Sequence, residues 1–299
     1  MELYGPFRRE AVERGIPADQ VDRFAEQLRF AIWVGGGDRG EDVVGQSGGL
    51  PRLPAGTEWP SERGIPLPFV ASLDCAALPT VEKLPLPVDG SLLFFLDPEN
   101  AFDAFSRGYD AYARVLYVPA GTATAVRQPP SDDEVPRTHP EYRLYAEVVP
   151  ELPPGLEPDD EEDMDDRLMF ASDTVRQLVS ELTHIDELVA LVQDLWPAET
   201  GLSSLRLGGY TKRIGGSYSP EEQMARASLR ARLETEPDLP RSERIGWRRE
   251  EESRLVQEWV PLAQFPTEHF CHFGRFLIRF DDLAAGRFDK MRSFPAFTE

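Results

Sequence analysis

The chain has 299 residues, 41% of them hydrophobic and 10% aromatic, which excludes a wholly disordered protein and suffices for a sizeable core. Its formal net charge is −21, from 32 basic and 53 acidic residues. A surface of that sign repels phosphate groups, so the charge disfavours sequence-independent binding to nucleic acid or to an anionic membrane.

The N-terminal residues 1–6 lack the basic region followed by an apolar one that marks a signal peptide. Elsewhere, no apolar run approaches the length of about 18 residues that a membrane-spanning helix needs. The two cysteines, Cys75 and Cys271, are too few for a disulfide framework. These features predict a cytoplasmic protein with two reduced thiols.

A helix is predicted for residues 17–33, because apolar residues recur there at helical spacing and Pro17 suits a first helical turn. The glycine-rich residues 35–40 then match the pattern G-x-G-x-x-G. A dinucleotide site requires a strand before that pattern and a helix after it, whereas here the predicted helix comes first. We therefore expect no dinucleotide cofactor.

Residues 45–49 match the G-x-S-x-G pattern of serine hydrolases, with Ser47 at the nucleophile position. A nucleophile elbow leads into a helix, but the prolines at positions 51 and 54 prevent one. The trypsin-like alternative also fails, because its catalytic histidine precedes the serine and the first histidine of this chain is His139. Ser47 is therefore interpreted as a turn residue, and no catalytic residue is assigned.

Short apolar runs flanked by glycine, proline or aspartate predict several strands along the chain. The predicted strands are residues 66–74, 90–97, 113–119, 142–149, 205–210, 258–265 and 274–281.

Helical periodicity over residues 175–195 predicts either one helix or two helices, the second of them capped at Thr183 after a break. Further on, Ser219 and Glu222 are spaced as a capping box, which predicts the start of a surface helix. Residues 234–243 are rich in proline and charge and are interpreted as a connector.

Residues 157–166 are mostly acidic. The glycine and glutamate positions of a calcium-binding loop are missing from them. We mark Asp159, Asp160, Glu161 and Glu162 as candidate contacts for a basic partner, with a solvated loop as the simpler alternative.

The second half of the chain repeats the order of features found in residues 48–97, although the spacings differ. The parallel segments are residues 48–50 with 208–210, residues 69–73 with 261–265, and residues 90–97 with 274–281. A duplicated unit whose two copies pair into one core explains this order, with chance similarity between apolar strands as the alternative.

The most specific motif residues are Gly48, Gly49, Leu50, Pro51, Leu53, Pro54, Gly56, Trp59 and Pro60, followed by the strands at 68–74 and 90–95. With residues 208–210 and 262–265, they resemble the YwqG-like family of bacterial proteins of unknown function. The resemblance implies a mixed α+β fold and no established catalytic residues. Thr211 and Ser72 depart from the family pattern, where proline and glutamine are favoured.

The sequence therefore predicts an α+β fold with mixed, largely antiparallel sheets, built from two repeated loop-and-strand units with peripheral helices. We expect one domain over residues 1–299, with pseudo-repeats at approximately 40–150 and 200–290 and a helical insert at approximately 167–196.

Candidate site residues are few. Trp59 and Gln264 are proposed to line a ligand pocket between the repeats, although for Trp59 taken alone a packing role that joins the loop to the sheet is the preferred interpretation. Residues 268–272, with His269, Cys271 and His272, form the best metal candidate, and Cys75 would add a ligand if the two repeats pair. Zinc needs three or four converging ligands, which this segment alone does not supply, so neither a metal nor a cofactor is predicted.

The leading functional hypothesis is a non-catalytic interaction protein whose acidic surface binds a basic protein partner, with toxin neutralisation as one form of that role. The alternative is an enzyme or small-molecule binder with its pocket between the two repeats. Neither nucleic acid nor a membrane is expected as a partner.

Overall fold

The computed structural model of the protein describes residues 4–36, 42–97, 112–130, 140–157, 168, 171–197, 205–212, 214, 218–266 and 272–297. The helices are α1 (Tyr4–Glu13), α2 (Ala18–Ala25), α3 (Asp173–Glu181), α4 (Ile185–Leu195), α5 (Pro220–Thr235), α6 (Arg241–Glu258) and α7 (Phe280–Ala284), with a 3-10 turn at Phe288–Lys290. The strands are β1 (Arg29–Gly35), β2 (Gly45–Ser47), β3 (Arg52–Pro54), β4 (Ser61–Glu62), β5 (Ile65–Pro66), β6 (Phe69–Asp74), β7 (Ser91–Leu96), β8 (Ala113–Val118), β9 (Thr124–Val126), β10 (Tyr142–Glu151), β11 (Leu205–Gly208), β12 (Trp259–Pro266), β13 (His272–Arg279), β14 (Arg292–Ser293) and β15 (Ala296–Phe297).

One 11-stranded antiparallel sheet organises the protein. Its strand order is β14-β13-β12-β11-β1-β10-β2-β6-β7-β8, and β15 pairs with β13. The sheet curls around its main apolar cluster, so that Phe94 of β7 packs 5.8 Å from Phe276 of β13, ring centroid to ring centroid. Together with the helices outside the sheet, this confirms the predicted α+β, largely antiparallel fold.

The centre of the sheet is the β1–β10 pair. On one side follow β2, β6 and β7, and on the other β11, β12 and β13. A pair of glycines in the left-handed region follows β2 at positions 48 and 49, and another lies at positions 208 and 209, at the end of β11. Pairing of two duplicated units gives such an order, and the duplication itself stays a prediction.

The predicted strands are confirmed in type and approximate bounds by β6, β7, β8, β10, β11, β12 and β13. Apolar residues of these strands pack in the main apolar cluster, and the flanking glycines and prolines end the strands.

The helix predicted for residues 17–33 is wrong in its second half. The helix α2 ends at Ala25, and β1 begins at Arg29. Because β1 lies between β10 and β11, most of its residues are buried, and their sequence does not alternate between apolar and polar. A short apolar run of this kind cannot be told from a buried helix by periodicity alone.

The helix predicted for residues 175–195 is confirmed as two helices, α3 and α4, separated by the predicted break. Thr183 is not the cap of the second helix. Its hydroxyl oxygen instead accepts a hydrogen bond from the Gln20 amide at 3.1 Å, and His184 stands at the N-cap position. The helices α1 to α4 share a second apolar cluster beside the sheet.

The helix α5 begins at the predicted cap, where Ser219 accepts a hydrogen bond from the Glu222 N–H at 3.1 Å. Its predicted surface position is wrong for the first turns, because all residues from Pro220 to Ala225 are buried. A short turn joins α5 to α6, and the two helices pack together. The charged sequence of α6 has no apolar periodicity, so the sequence does not predict this helix.

Among the described helices, none combines the length and the apolar character that crossing a bilayer would require.

Candidate functional site

Two clefts meet at Arg29 and Tyr210, which line both of them. The first, the arginine cleft, has a volume of about 390 Å³ and lies between α6, the start of α5 and the start of α3. The second, the proline-loop cleft, has a volume of about 970 Å³ and lies between the loop of residues 76–88 and the turn at residues 208–210. The wall shared by the two clefts is the candidate site.

The turn at residues 208–210 depends on glycine. At position 209 φ is +72°, and an added Cβ would overlap the Glu151 carboxylate. That carboxylate accepts a hydrogen bond from the Tyr210 N–H at 2.8 Å and forms an ion pair with Arg206 at 2.8 Å. The absence of a side chain at Gly209 therefore lets the carboxylate reach the backbone and fix the turn.

Gln264 holds the same turn from β12. Its side-chain nitrogen donates to the Tyr210 carbonyl at 2.9 Å, and its side-chain oxygen accepts from the Lys212 N–H at 2.9 Å. In the other half of the sheet, Gln46 donates to the carbonyls of Gly48 at 3.0 Å and Leu50 at 3.4 Å. Both polar ends of Gln264 are thus engaged by backbone, and its predicted ligand-binding role stays a prediction.

Arg29 is the cationic centre of the shared wall. Its guanidinium donates to the carbonyl of Val256 at 3.0 Å and to that of Gly209 at 3.4 Å, and it lies 4.3 Å from the centroid of the Tyr210 ring. No carboxylate of the described residues forms an ion pair with it. The charge is therefore held in place by backbone dipoles and an aromatic face, with no neutralising carboxylate among the described residues.

Tyr210 provides the aromatic ring over which the Arg29 guanidinium lies. The phenol O–H donates to the Gln27 carbonyl at 2.7 Å. Burial raises the pKa of Tyr210 to about 12, with Arg29 acting in the opposite direction. The phenol is consequently neutral at physiological pH, and its ring remains an apolar platform for the guanidinium.

The other arginines of the arginine cleft have carboxylate partners. Arg226 and Arg248 each lie 2.9 Å from the same oxygen of Glu222. Arg176 pairs with Asp173 at the start of α3, and Arg249 lies 4.0 Å from that carboxylate. The charge of Arg29 is the one left available to an anionic ligand among the described arginines of this cleft.

Glu221 contributes a buried carboxylate to the arginine cleft, where it accepts a hydrogen bond from the Thr211 hydroxyl at 2.7 Å. The fully buried Arg275 interacts with it electrostatically and donates to the carbonyls of Phe294, Lys212, Tyr218 and Pro295 at 3.1–3.4 Å. Burial lowers the pKa of Arg275 to about 10, while Glu221 acts to raise it. Glu221 therefore joins the lining of the cleft to a buried polar network.

The predicted pair Trp59 and Gln264 is not brought together. The Trp59 indole donates to the Leu67 carbonyl at 2.9 Å, and its ring packs edge-to-face on Phe95 at 5.6 Å. It lines a different cleft, of about 520 Å³, whose described lining does not include Gln264. These contacts are those of a packing residue that joins the loop to the sheet, and a ligand at Trp59 stays a prediction.

Several predicted site residues lie outside the described ranges, namely Asp159, Asp160, Glu161 and Glu162 of the acidic run and His269 and Cys271 of the metal candidate. Cys75 is buried in the main cluster, and burial, followed by Asp74 and Asp89, raises the pKa of its thiol to about 12. Within the part of the chain that the structure describes, no three His, Cys, Asp or Glu side chains converge on a possible metal site.

Sequence reasoning missed Arg29 and Glu221. Arg29 lies in the wrongly predicted second half of the helix at residues 17–33, and Glu221 lies at the start of a helix that is predicted to be on the surface. The aromatic residue after the second glycine pair is a usable signal, since Tyr210 follows that pair whereas Leu50 follows the first pair. A large polar-tipped ring beside a tight turn is typical of a structured site.

A family model described as a domain of unknown function, DUF1963, matches residues 46–293. The matched segment runs from β2 to β14 and includes Tyr210, Glu221 and Gln264, whereas Arg29 precedes it. No curated protein matches the chain at a significant level. Because the match covers most of its length, the protein belongs to the DUF1963 family of domains of unknown function.

Proposed function

We propose that the protein is a non-catalytic binding protein for a small ligand with an anionic group and an apolar body. The observation that carries this proposal is the position of Arg29, whose charge has no carboxylate partner among the described residues and lies where two clefts meet. The resemblance to the YwqG-like family supports a more specific family assignment as a proposal, but it indicates no reaction.

Arg29 suits an anion because its geometry is set before a ligand arrives. Two backbone carbonyls and the Tyr210 ring hold the guanidinium, so little side-chain freedom is lost on binding. A guanidinium presents a planar set of donors that matches the two oxygens of a carboxylate or phosphate. Because the chain as a whole is strongly acidic, a cation without a carboxylate partner among the described residues, as Arg29 is, is an unusual feature of it.

The apolar body of the ligand is assigned to the proline-loop cleft. Its walls include Phe30, Leu78, Leu84, Leu86 and Val260. A cavity of about 970 Å³ is at the upper end of the size range of small-molecule sites. An acyl or aromatic chain there would displace water from apolar walls while its anionic head reaches Arg29.

The test compares decanoate with decanol in thermal unfolding and calorimetric titration. Decanoate is expected to bind the wild-type protein at least tenfold more tightly, and Arg29→Gln is expected to remove that difference. Decanoate at about 100 times its Kd should add about 2.7 kcal/mol to the free energy of unfolding. Arg241→Gln removes the same charge from an exposed site outside both clefts and is the control.

Equal binding of decanoate and decanol by the wild-type protein would contradict the role of Arg29. Absence of binding by either compound, and by a wider metabolite panel, would contradict a small-molecule site at these clefts.

The formal charge of −21 favours a second candidate, an interaction protein that binds a basic protein, of which toxin neutralisation is one form. Its predicted contacts are Asp159, Asp160, Glu161 and Glu162. Affinity capture at low and at physiological salt, with these four residues changed to Asn and Gln as the comparison, tests it. A basic partner should be recovered stoichiometrically by the wild-type protein and lost from the variant, and recovery of none under either salt condition would refute this candidate.

A further inference from the structure

A third cleft, the Trp259 cleft, lies on another face of α6 from the arginine cleft. It has a volume of about 570 Å³ and lies between the base of the α5–α6 pair and the C-terminal segment that carries Arg279 and Arg292. Glu251 and Leu255 of α6 line it, whereas Arg248 and Glu252 line the arginine cleft. The two clefts therefore use different residues of one helix.

The charged side chains around the Trp259 cleft are nearly all paired. The pairs are Arg254 with Glu251 and Glu258, Arg279 with Glu258, Lys290 with Asp289, and Arg287 with Asp282. Ser228, which also lines the cleft, forms a hydrogen bond with Glu251.

Two groups of this cleft have no partner among the described residues: the Arg292 guanidinium has no ion pair, and the Trp259 indole N–H has no hydrogen-bond acceptor. Arg292 is exposed, and it forms no ion pair with a described residue; its guanidinium lies 5.3 Å from the Trp259 ring centroid. Trp259 is 5% exposed, and its indole N–H is buried without a hydrogen-bond acceptor in the described structure. A buried donor without an acceptor is unfavourable and is rare in folded proteins, so it calls for an explanation such as a bound ligand.

We propose that the Trp259 cleft binds a carboxylate ligand. One carboxylate oxygen would accept the hydrogen bond from the Trp259 indole N–H, and the negative charge would pair with Arg292. A single monoanion thus satisfies both unmatched groups at once.

The walls of the cleft favour a carboxylate over a phosphate. Glu251, Asp282 and Asp289 line it together with Arg292. A dianionic phosphate would bring a second negative charge close to these carboxylates with no further unpaired cation to balance it, whereas a carboxylate adds only one. The proposed carboxylate site does not depend on the Arg29 site, because the Trp259 cleft shares no described lining residue with the arginine cleft or with the proline-loop cleft.

The test follows the indole N–H signals in a two-dimensional proton–nitrogen NMR spectrum during titration at constant ionic strength. The protein has five tryptophans, and the loss of one signal in Trp259→Phe identifies that of Trp259. If that variant does not fold, the signal is assigned in the wild-type protein through its backbone resonances. The probes are sodium acetate and benzoate, with methyl acetate as the neutral control and inorganic phosphate as the competing class.

The Trp259 signal is expected to move saturably with acetate and benzoate and to stay in place with methyl acetate. Arg292→Gln should weaken the binding of acetate at least tenfold. Arg230→Gln removes the same charge from an exposed position of α5 that does not line the cleft, and it should leave binding unchanged.

Three results would overturn the proposal. The Trp259 signal could remain fixed in both carboxylate titrations, Arg230→Gln could weaken binding as much as Arg292→Gln, or inorganic phosphate could bind more tightly than acetate.

Discussion

Arg206 and Glu151 form an ion pair of 2.8 Å between the two strands that flank β1, with only 11% and 4% of their side chains exposed. The other oxygen of Glu151 accepts the Tyr210 N–H, and the Trp33 indole donates to the first at 3.4 Å. The pair therefore couples the middle of the sheet to the turn that forms the wall between the two clefts.

Replacing Glu151 by alanine is expected to cost about 3–5 kcal/mol of unfolding free energy, because Arg206 then remains buried without its partner. Glu151→Gln should cost less, since an amide oxygen can still accept from the Tyr210 N–H. Urea unfolding of both variants measures the difference. A cost below about 1 kcal/mol for the alanine variant would show that the pair contributes little.

Gly209→Ala should destabilise the protein far more than Gly121→Ala. Both glycines have φ above +70°, so each alanine carries a conformational cost of about 1–2 kcal/mol. Only at position 209 does the added methyl overlap the Glu151 carboxylate, whereas nothing lies within 4 Å at position 121. We expect an additional cost of about 3 kcal/mol at position 209, read from chemical denaturation. Equal costs would mean that the turn shifts freely.

Cys75 should make the protein sensitive to alkaline pH. Burial raises the pKa of its thiol from about 9 to about 12, so the folded state keeps the proton that the unfolded state loses. The contribution of the protonated Cys75 thiol to the free energy of unfolding is therefore fully present below pH 9. It declines as the pH rises towards 12, by up to about 1.4 kcal/mol per pH unit.

The measurement compares the unfolding free energies of the wild-type protein and Cys75→Ala from pH 7 to 11. Their difference should be constant up to about pH 9 and then fall, while the contribution of Tyr210 is common to both proteins. A difference that does not change with pH would show that the thiol ionises equally well in the folded state.

Arg275→Met should cost about 3 kcal/mol or more, because it leaves buried carbonyl groups without donors. Methionine retains much of the side-chain volume, so the loss reports chiefly on hydrogen bonding. Arg230→Met, at an exposed position of α5, is the matched control and should change stability by less than about 0.5 kcal/mol. Similar values for the two variants would contradict the role assigned to Arg275.

Much of the fold could be predicted because it depends on local pattern. The strands β6, β7, β12 and β13 are apolar runs bounded by turn residues, and the Ser219 cap is a three-residue spacing. The segment of β1 could not be assigned correctly, since its apolar run suits either a helix or a strand with neighbours on both sides. Which one forms depends on β10 and β11, which lie far away in sequence.

The candidate site was less predictable than the fold. A sequence motif predicts Trp59 and Gln264 as site residues, yet Gln264 supports the turn and Trp59 packs on another part of the sheet. Arg29 carries no motif. Its importance comes from a contact with Tyr210, which is 181 residues away, and from the absence of a described carboxylate partner.

The sequence alone determined the acidic charge, the antiparallel α+β class and most strands, because composition, apolar runs and turn residues act over short distances. Only the tertiary structure decided which polar side chains are buried and which charges remain uncompensated. That outcome depends on partners that converge from distant segments, as Glu151 and Gln264 do at Tyr210 and as Arg292 does at Trp259. Burial strengthens each such contact and makes a buried polar group without a partner unfavourable. The candidate sites at Arg29 and Trp259 could therefore be identified only from the tertiary structure.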